Sequence, residues 1–170
     1  MSKSKSTSLI ALAAFGAATA GVAWYGARHR RSASRDLWYR ELDKPSFTPP
    51  DKAFPVVWTG LYAMIALSGW RVWCAAPSRD RNRALGLWIA QLAANAHWSK
   101  LFFEQRHPLK ALGDVVALER IVLSYIAAAR KVDQAAAGLF IPYAAWVAFA
   151  GVLNAEIARR NSNRESVFRQ

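Results

Sequence analysis

The sequence has few of the residues that build disulfide bonds and metal sites. It contains a single cysteine, Cys74, so no internal disulfide can form and cysteine usage does not indicate a compartment. Its three histidines, His29, His97 and His107, fall in different segments and lack the spacing of metal ligands. Acidic residues number 11 against 23 lysines and arginines. We therefore expect neither a disulfide-stabilised fold nor a metal site.

The basic excess is combined with a high apolar content. The formal net charge is +12, while 54% of the residues are hydrophobic. Lysines and arginines cluster at the ends of long apolar runs, a pattern typical of membrane topology and of contact with anionic lipid headgroups. A nucleic-acid interface would instead place them on one folded face with interleaved aromatic residues. The composition therefore predicts a membrane protein without a nucleic-acid partner.

Five apolar runs are long enough to cross a hydrocarbon layer about 30 Å thick. Each is expected to be a helix, because lipid offers no partner to an unpaired backbone amide. The predicted fold is an all-α membrane protein, a five-transmembrane-helix bundle that forms a single domain over residues 1–170 with a short polar tail at 159–170. The predicted spans are residues 9–27, 53–70, 84–103, 111–129 and 135–155.

The first of these runs has a second interpretation. Lys3 and Lys5 precede it, as they would in a secretory signal peptide, but its nineteen uncharged residues are long for a signal region. We expect a retained helix. Gly16, Ala20 and Ala23 form a small-residue stripe on it that suits close contact with another helix.

The distribution of lysine and arginine predicts the orientation of the bundle. One set of connecting segments carries thirteen of these residues, and it includes the loop after the first span and the C-terminal tail. The opposite set carries seven. The positive-inside bias therefore places the first loop and the C-terminus in the cytoplasm. The short, unspecialised N-terminus suits a bacterial inner membrane.

The first loop and the start of the second span form the most informative segment, residues 44–62. Pro45, Pro49 and Pro50 exclude a regular helix or a central strand in the loop. An apolar helix is predicted directly afterwards, and it carries Trp58 and Tyr62 four residues apart, on one face. A rigid loop thus leads into an aromatic helix face.

Two later segments carry further aromatic and amide side chains, residues 91–103 and 142–154. Together with residues 44–62 they resemble the signature of the TspO/MBR family, the tryptophan-rich sensory proteins and mitochondrial translocator proteins. The three motifs occur in the family's order and at its spacing, and the resemblance extends from about residue 38 to residue 161. It implies a five-helix membrane fold with a retained first helix.

Periodicity places the polar and aromatic residues of these motifs on single helix faces. On the third span, Gln91, Asn95, Trp98 and Phe102 stand at offsets 0, 4, 7 and 11. Such a stripe indicates an interior cavity, because lipid offers no partner to buried amides. Plain packing remains open for the aromatic residues, as do interhelical hydrogen bonds for the asparagines. The fifth span presents a comparable face, which consists of Trp146, Ala150 and Asn154.

Aromatic walls with few charges favour a flat apolar ligand that is held by stacking. The family resemblance implies porphyrin, such as protoporphyrin IX or a haem-like tetrapyrrole, and no required cofactor; mammalian members also bind cholesterol and drug-like molecules. Arg40, Lys44 and Lys52 are candidates to meet the ligand's propionates at the cavity mouth. The expected ligand-binding residues are Pro49, Pro50, Trp58, Tyr62, Gln91, Asn95, Trp98, Phe102, Trp146, Ala150 and Asn154.

Three functional hypotheses follow. The first is a porphyrin-binding membrane protein that acts in transport, sensing or regulation, and it favours a binding role over an enzymatic one. The second is light- and oxygen-dependent porphyrin breakdown, with Trp58 and Trp146 as the candidate catalytic residues that the resemblance implies. The third is a small ion transporter built on His97, Glu119 and Arg120, which the lack of an inverted repeat disfavours.

Two departures from the family pattern matter. Residues 153–159 lack the tyrosine of the vertebrate cholesterol-recognition pattern. Glu119 and Arg120 also stand within the fourth predicted span, where the family usually has apolar or aromatic residues. Glu119 is expected to face His97 or the cavity. Alternatively, Glu119 and Arg120 mark a protein–protein surface, or both side chains extend to the membrane interface.

The third span also carries a small-residue stripe away from the face of Asn95. Gly86, Ala90 and Ala94 recur at four-residue steps. Such a stripe allows either a second copy of the chain or a neighbouring helix to approach closely. Because members of the family dimerise partly through this helix, we expect a homodimer.

Overall fold

The computed structural model describes residues 5–34 and 37–162, and every regular element within them is helical. Five helices are 20 residues or longer, and the other helical segments have five or six residues. The prediction of an all-α fold is confirmed. The elements are α1 (Lys5–Ser34), α2 (Leu37–Glu41), α3 (Ala53–Cys74), α4 (Arg79–Ser99), a π-helical segment (Lys100–Glu104), α5 (Pro108–Arg130), α6 (Gln134–Leu139) and α7 (Ile141–Arg160).

The helices do not match the five predicted runs one to one. The run predicted at 135–155 is divided between α6 and α7, with Phe140 at the junction. Pro142 stands in the first turn of α7, where its missing amide hydrogen is tolerated, but within a continuous helix it would break the hydrogen-bond ladder. The run predicted at 84–103 continues from α4 into the π-helical segment.

Three stretches are long and apolar enough to cross a membrane, namely Lys5–Ser32, Ala53–Cys74 and Gln134–Arg160. Helices α4 and α5 are as long as these but more polar. Helix α4 opens with Arg79, Asp80 and Arg81, and α5 carries charged residues along its length. Length and composition therefore support a membrane protein without fixing the number of its spans.

The long helices enclose a common interior. Helix α1 packs against α3 and α4, α4 packs against α5, and α5 packs against α7. The short helix α6 contacts both α3 and α5 and so closes the ring on that side. The π-helical segment lies against α1, α4 and α5.

A buried tryptophan joins three helices below this interior. The Trp88 indole nitrogen donates a hydrogen bond of 2.9 Å to the Ile65 carbonyl, which ties α4 to α3. Phe15 of α1 meets the same ring edge-on at a centroid distance of 4.7 Å. Gly69 lets the rings approach, since a Cβ there would lie 2.5 Å from the Trp88 indole nitrogen and 2.7 Å from Phe15 Cδ1.

Polar contacts fix α6 against α3 and α5. Ser68 donates to the Ala136 carbonyl at 2.7 Å and shares a hydrogen bond of 2.7 Å with the Tyr125 hydroxyl. At the nearby helix ends, Arg71 pairs with Asp133 at 2.9 Å, and Asp133 caps α6 through the Ala136 amide. Burial alone would raise the pKa of Asp133, but the amide and the Arg71 guanidinium together hold it below its usual value.

We predict that Gly69→Ala destabilises the protein, because the added methyl group collides with two rigid rings. Overpacking of this kind costs about 1–3 kcal/mol. The matched control is Gly60→Ala on the same helix, where a Cβ meets nothing within 4 Å. The control should be neutral or stabilising by up to about 1 kcal/mol, through helix propensity alone. Thermal unfolding of both variants in mild detergent measures the difference, and equal melting temperatures would contradict the packing argument.

Candidate functional site

A cavity of about 520 Å³ lies between α1, α3, α4, the π-helical segment and α7, beneath the loop that precedes α3. Its size is within the range of small-molecule binding sites. Most of its lining is aromatic or aliphatic, and a few polar side chains, two of them charged, interrupt it. Helix α1 contributes mostly glycine and alanine, so bulky residues of the other helices have space to line it.

Two tryptophans from different helices meet in one wall of the cavity. Trp58 stacks on Tyr62, one helical turn further along α3, with centroids 5.1 Å apart and planes inclined by 28°. Trp146 of α7 meets Trp58 edge-on at 6.3 Å. Phe54 contacts Trp146 from the first turn of α3 at 5.9 Å. Helical spacing within each motif and packing between α3 and α7 together build this wall.

The opposite wall depends on the π-helical segment. Its wider turn is marked by the Gln105 amide, which donates to the Lys100 carbonyl five residues earlier at 3.0 Å. The extra residue per turn lets adjacent residues Phe102 and Phe103 both reach the cavity. Trp98 stacks on Phe102 at 5.5 Å and meets Phe103 edge-on at 5.8 Å.

Two buried asparagines carry the hydrogen bonds around the cavity. Asn95 donates to the Tyr143 hydroxyl at 2.9 Å and accepts a longer bond of 3.4 Å from Tyr62. Asn154 accepts from the Trp98 indole at 3.2 Å and donates to the Pro108 carbonyl at 2.7 Å. Both line the cavity, yet both also bond helix to helix. They therefore orient the aromatic walls through the interhelical hydrogen bonds that the sequence left open, and a role in ligand binding stays a prediction.

Eight of the eleven residues expected at the site line the cavity, and three do not. Gln91 is fully buried below it, where its amide donates to the Trp88 carbonyl. The lining of α4 begins one turn later, at Asn95, because Gln91 stands at the level of the packed core. Pro49 and Pro50 shape the loop, but its lining residues are Lys44 and Thr48.

The contribution of α1 was not predicted from the sequence. Gly16, Ala20 and Ala23 line the cavity, although their stripe had suggested close helix packing. Arg30, further along the same helix, also lines it. In a sequence, a stripe of small residues is compatible with either a helix contact or a cavity wall. The helical spacing of Arg30 from this stripe is the one signal that could have indicated that Arg30 lies on the same face.

Charge is concentrated at one end of the cavity, where the loop before α3 covers it. The Arg30 guanidinium lies 5.7 Å from the centre of the Phe54 ring, and Lys44 Nζ lies 3.9 Å from that of Tyr39. Burial lowers the pKa of Lys44, which the Asp51 carboxylate partly opposes. Burial and Asp51 both raise the pKa of Tyr39, and Arg30 opposes them.

Two of the cations proposed for the mouth are placed elsewhere. Arg40 and Lys52 are exposed and do not line the cavity, because their side chains lie on the outer side of α2 and of the loop. Lys44 alone of the three proposed cations lines it.

The charged residues Asp114, Glu119 and Arg120 of α5 lie outside the cavity. His97 Nδ1 lies 3.1 Å from Asp114 Oδ1, so His97 pairs with Asp114 rather than with Glu119. Arg120 is exposed and Glu119 is partly buried between helices. None of these four residues lines the cavity, so the expectation that Glu119 faces His97 or the cavity is not met.

Comparison with known proteins places these features in context. The sequence profile of the TspO/MBR family matches residues 10–160, which include most of α1 and all of α3, α4, α5 and α7. The chain is 37% identical over 129 residues to the tryptophan-rich sensory protein of Cereibacter sphaeroides, an alignment that covers 76% of this chain and 80% of the relative.

Relatives with other names are nearly as similar. The translocator protein of Sus scrofa is 36% identical over 129 residues, with 75% of this chain and 76% of the relative covered. The protein CrtK of Rhodobacter capsulatus is 33% identical over 139 residues, with 79% and 84% covered. Bacterial and mammalian relatives therefore share most of the helical region.

Proposed function

Because the chain belongs to the TspO/MBR family of membrane proteins, we propose that its cavity binds porphyrins and related flat hydrophobic ligands. The protein would act in the transport, sensing or regulation of such compounds. The single observation that carries this proposal is the convergence of Trp58, Tyr62 and Trp146 with Trp98 and Phe102 around one apolar cavity. The relatives' names, sensory protein and translocator protein, accord with a binding role rather than an enzymatic one.

Each group of lining residues has a part in this proposal. The indole, phenol and phenyl rings offer faces and edges for stacking, worth about 0.5–1.5 kcal/mol per aromatic contact. Asn95 and Asn154 keep those rings in place through their bonds to Tyr62, Tyr143 and Trp98. Ala150 leaves space between the two walls, and Pro49 and Pro50 stiffen the loop above them.

We predict that protoporphyrin IX quenches tryptophan fluorescence of the purified protein in a saturable manner. Trp146→Phe should weaken binding by roughly three- to tenfold, because it removes indole surface from the wall. The control is Trp24→Phe, since Trp24 is 59% exposed on α1 and does not line the cavity. Titration in neutral-lipid nanodiscs measures these affinities. Absence of saturable quenching in the native protein would end the proposal.

A second function is favoured by one specific observation, the edge-on contact of Trp58 and Trp146 within the cavity wall. The indole would donate one electron to the photoexcited macrocycle, and O2 would add to the reduced macrocycle and cleave a ring bond, with both oxygen atoms kept in the product. The oxygenated product would return the electron to the indole radical cation, so that the net reaction is the addition of O2 to a porphyrin stacked on this wall. In this role the protein would be a light-dependent porphyrin-degrading enzyme.

Illumination of the porphyrin complex in oxygenated buffer distinguishes catalysis from binding. We predict that the bound porphyrin bleaches to a defined product, and that bleaching slows in the Trp58→Phe, Trp146→Phe double variant. Rates are compared at equal concentrations of bound porphyrin, so that weaker binding by the variant does not affect the comparison. An oxygen-free sample is the control. Identical rates in both proteins would reject the enzymatic role and leave the binding role intact.

The membrane arrangement is also a proposal. Helices α4 and α5 complete the ring around the cavity and are long enough to cross a bilayer, so we count them with α1, α3 and the α6–α7 pair as five spans. The loop before α3 and the C-terminus then lie in the cytoplasm of a bacterial inner membrane. Cys74, at the far end of α3, lies on the opposite side.

Cys74 itself provides the test of orientation, because it is exposed and is the only cysteine in the chain. We predict that a membrane-impermeant maleimide labels it in intact spheroplasts from outside. The Cys74→Ser variant controls for background labelling. Labelling that requires permeabilised membranes would reverse the proposed orientation.

We further propose a homodimer through α4. Gly86 is exposed, with nothing within 4 Å of a Cβ built on it, while Ala90 and Ala94 are half-buried. The stripe is therefore accessible to the close approach of a second copy. A monomeric mass of the protein by light scattering in nanodiscs would contradict this proposal.

A further inference from the structure

We infer that Arg30 and Lys44 form an anion-binding mouth, which makes the cavity selective for ligands that carry carboxylates on a flat apolar body. This inference rests on the proposed function, since it names the class of compound that the cavity takes. Of the described residues that line the cavity, these two are the charged ones, and both are cations. An acidic group of the ligand is thus favoured at the mouth, because none of the described lining residues deeper in the cavity is a cation that could pair with it.

Arg30 connects the mouth to the aromatic wall. Its guanidinium lies 5.7 Å from the centre of the Phe54 ring, and that ring is 5.9 Å from Trp146. A ligand that stacks against Trp146 would therefore have its edge near the guanidinium. Arginine suits this role because its planar fork binds a carboxylate through two hydrogen bonds.

Lys44 reaches the mouth from the loop before α3. It is half-buried, and its ammonium group lies 3.9 Å from the centre of the Tyr39 ring. A partly buried charge is stabilised by a partner of opposite sign. Among the described residues, Asp51 is the acidic group whose field reaches both Lys44 and Tyr39, and it is exposed and does not line the cavity. A ligand carboxylate would supply a closer partner from the cavity side.

The deep end of the cavity is neutral. Its polar side chains include Thr19, Tyr62 and Asn95, and each makes a hydrogen bond within the protein. A ligand acid placed there would lose its hydration without gaining a cation. Charge at one end and apolar surface at the other therefore fix the ligand's direction, with its acidic edge toward the loop.

The experiment compares protoporphyrin IX, which has two carboxylates, with its dimethyl ester, which has the same macrocycle and no charge. In nanodiscs of phosphatidylcholine, the native protein should prefer the acid by about tenfold. Arg30→Gln and Lys44→Gln should each reduce this preference, and the double variant should bind both compounds equally. Arg40→Gln and Lys52→Gln are the matched controls, since both cations are exposed and outside the cavity, and they should keep the full preference.

A variant that is expected to bind more tightly distinguishes an effect on the ligand's charge from a failure to fold. Asp51→Asn removes the competing carboxylate from the mouth and should strengthen binding of the acid while leaving that of the ester unchanged. An equal change for both compounds would mean that Asp51 acts on the loop and not on the ligand's charge, and would count against the inference.

The outcomes separate this inference from the proposal on which it rests. If neither compound binds, porphyrin binding itself fails. If both bind the native protein equally, porphyrin binding stands and the anion-binding mouth is rejected. Phosphatidylglycerol in the nanodiscs tests the other source of anions: loss of the acid's preference there would show that lipid headgroups occupy Arg30 and Lys44, and would overturn their assignment to the ligand.

Discussion

The hydrogen bond from the Trp98 indole to Asn154 is the contact on which the cavity most depends. It joins α4 to α7, and Asn154 extends it to α5 through the Pro108 carbonyl. Within lipid an indole N–H and an amide without partners are costly, so each residue holds the other in place. Trp98 fixed in this way supports the stacked Phe102 ring, and the wall formed by the π-helical segment follows from it.

The second asparagine does the same for the other wall. Asn95 bonds to Tyr62 and Tyr143, and Tyr62 supports the Trp58 ring by stacking. Polar and aromatic residues are therefore not separate layers of this bundle. The amides orient the rings, and the rings shield the amides. This arrangement explains why residues at helical spacing on α3, α4 and α7 converge, with α3 and α7 meeting through their aromatic rings.

Much of this was predictable because helical periodicity is a strong signal in apolar sequence. The spacing of Trp58 and Tyr62, or of Asn95, Trp98 and Phe102, determines which residues share a face. It does not determine where along the helix a cavity ends, so Gln91 was assigned to the site although it lies in the packed core. The π turn, too, arises from tertiary packing and leaves no pattern in the sequence, and the position of Arg30 depended on how α1 docks.

The glycine and alanine surface of α1 has a consequence for how this protein's interior can vary. A Cβ added at Gly16 meets nothing within 4 Å, although this residue borders the cavity. A methyl group can thus be added at Gly16 without moving any ring on the facing helices, whereas at Gly26 it would meet the Ser99 hydroxyl at 3.3 Å. The volume of the cavity is therefore adjustable at Gly16 independently of its aromatic walls.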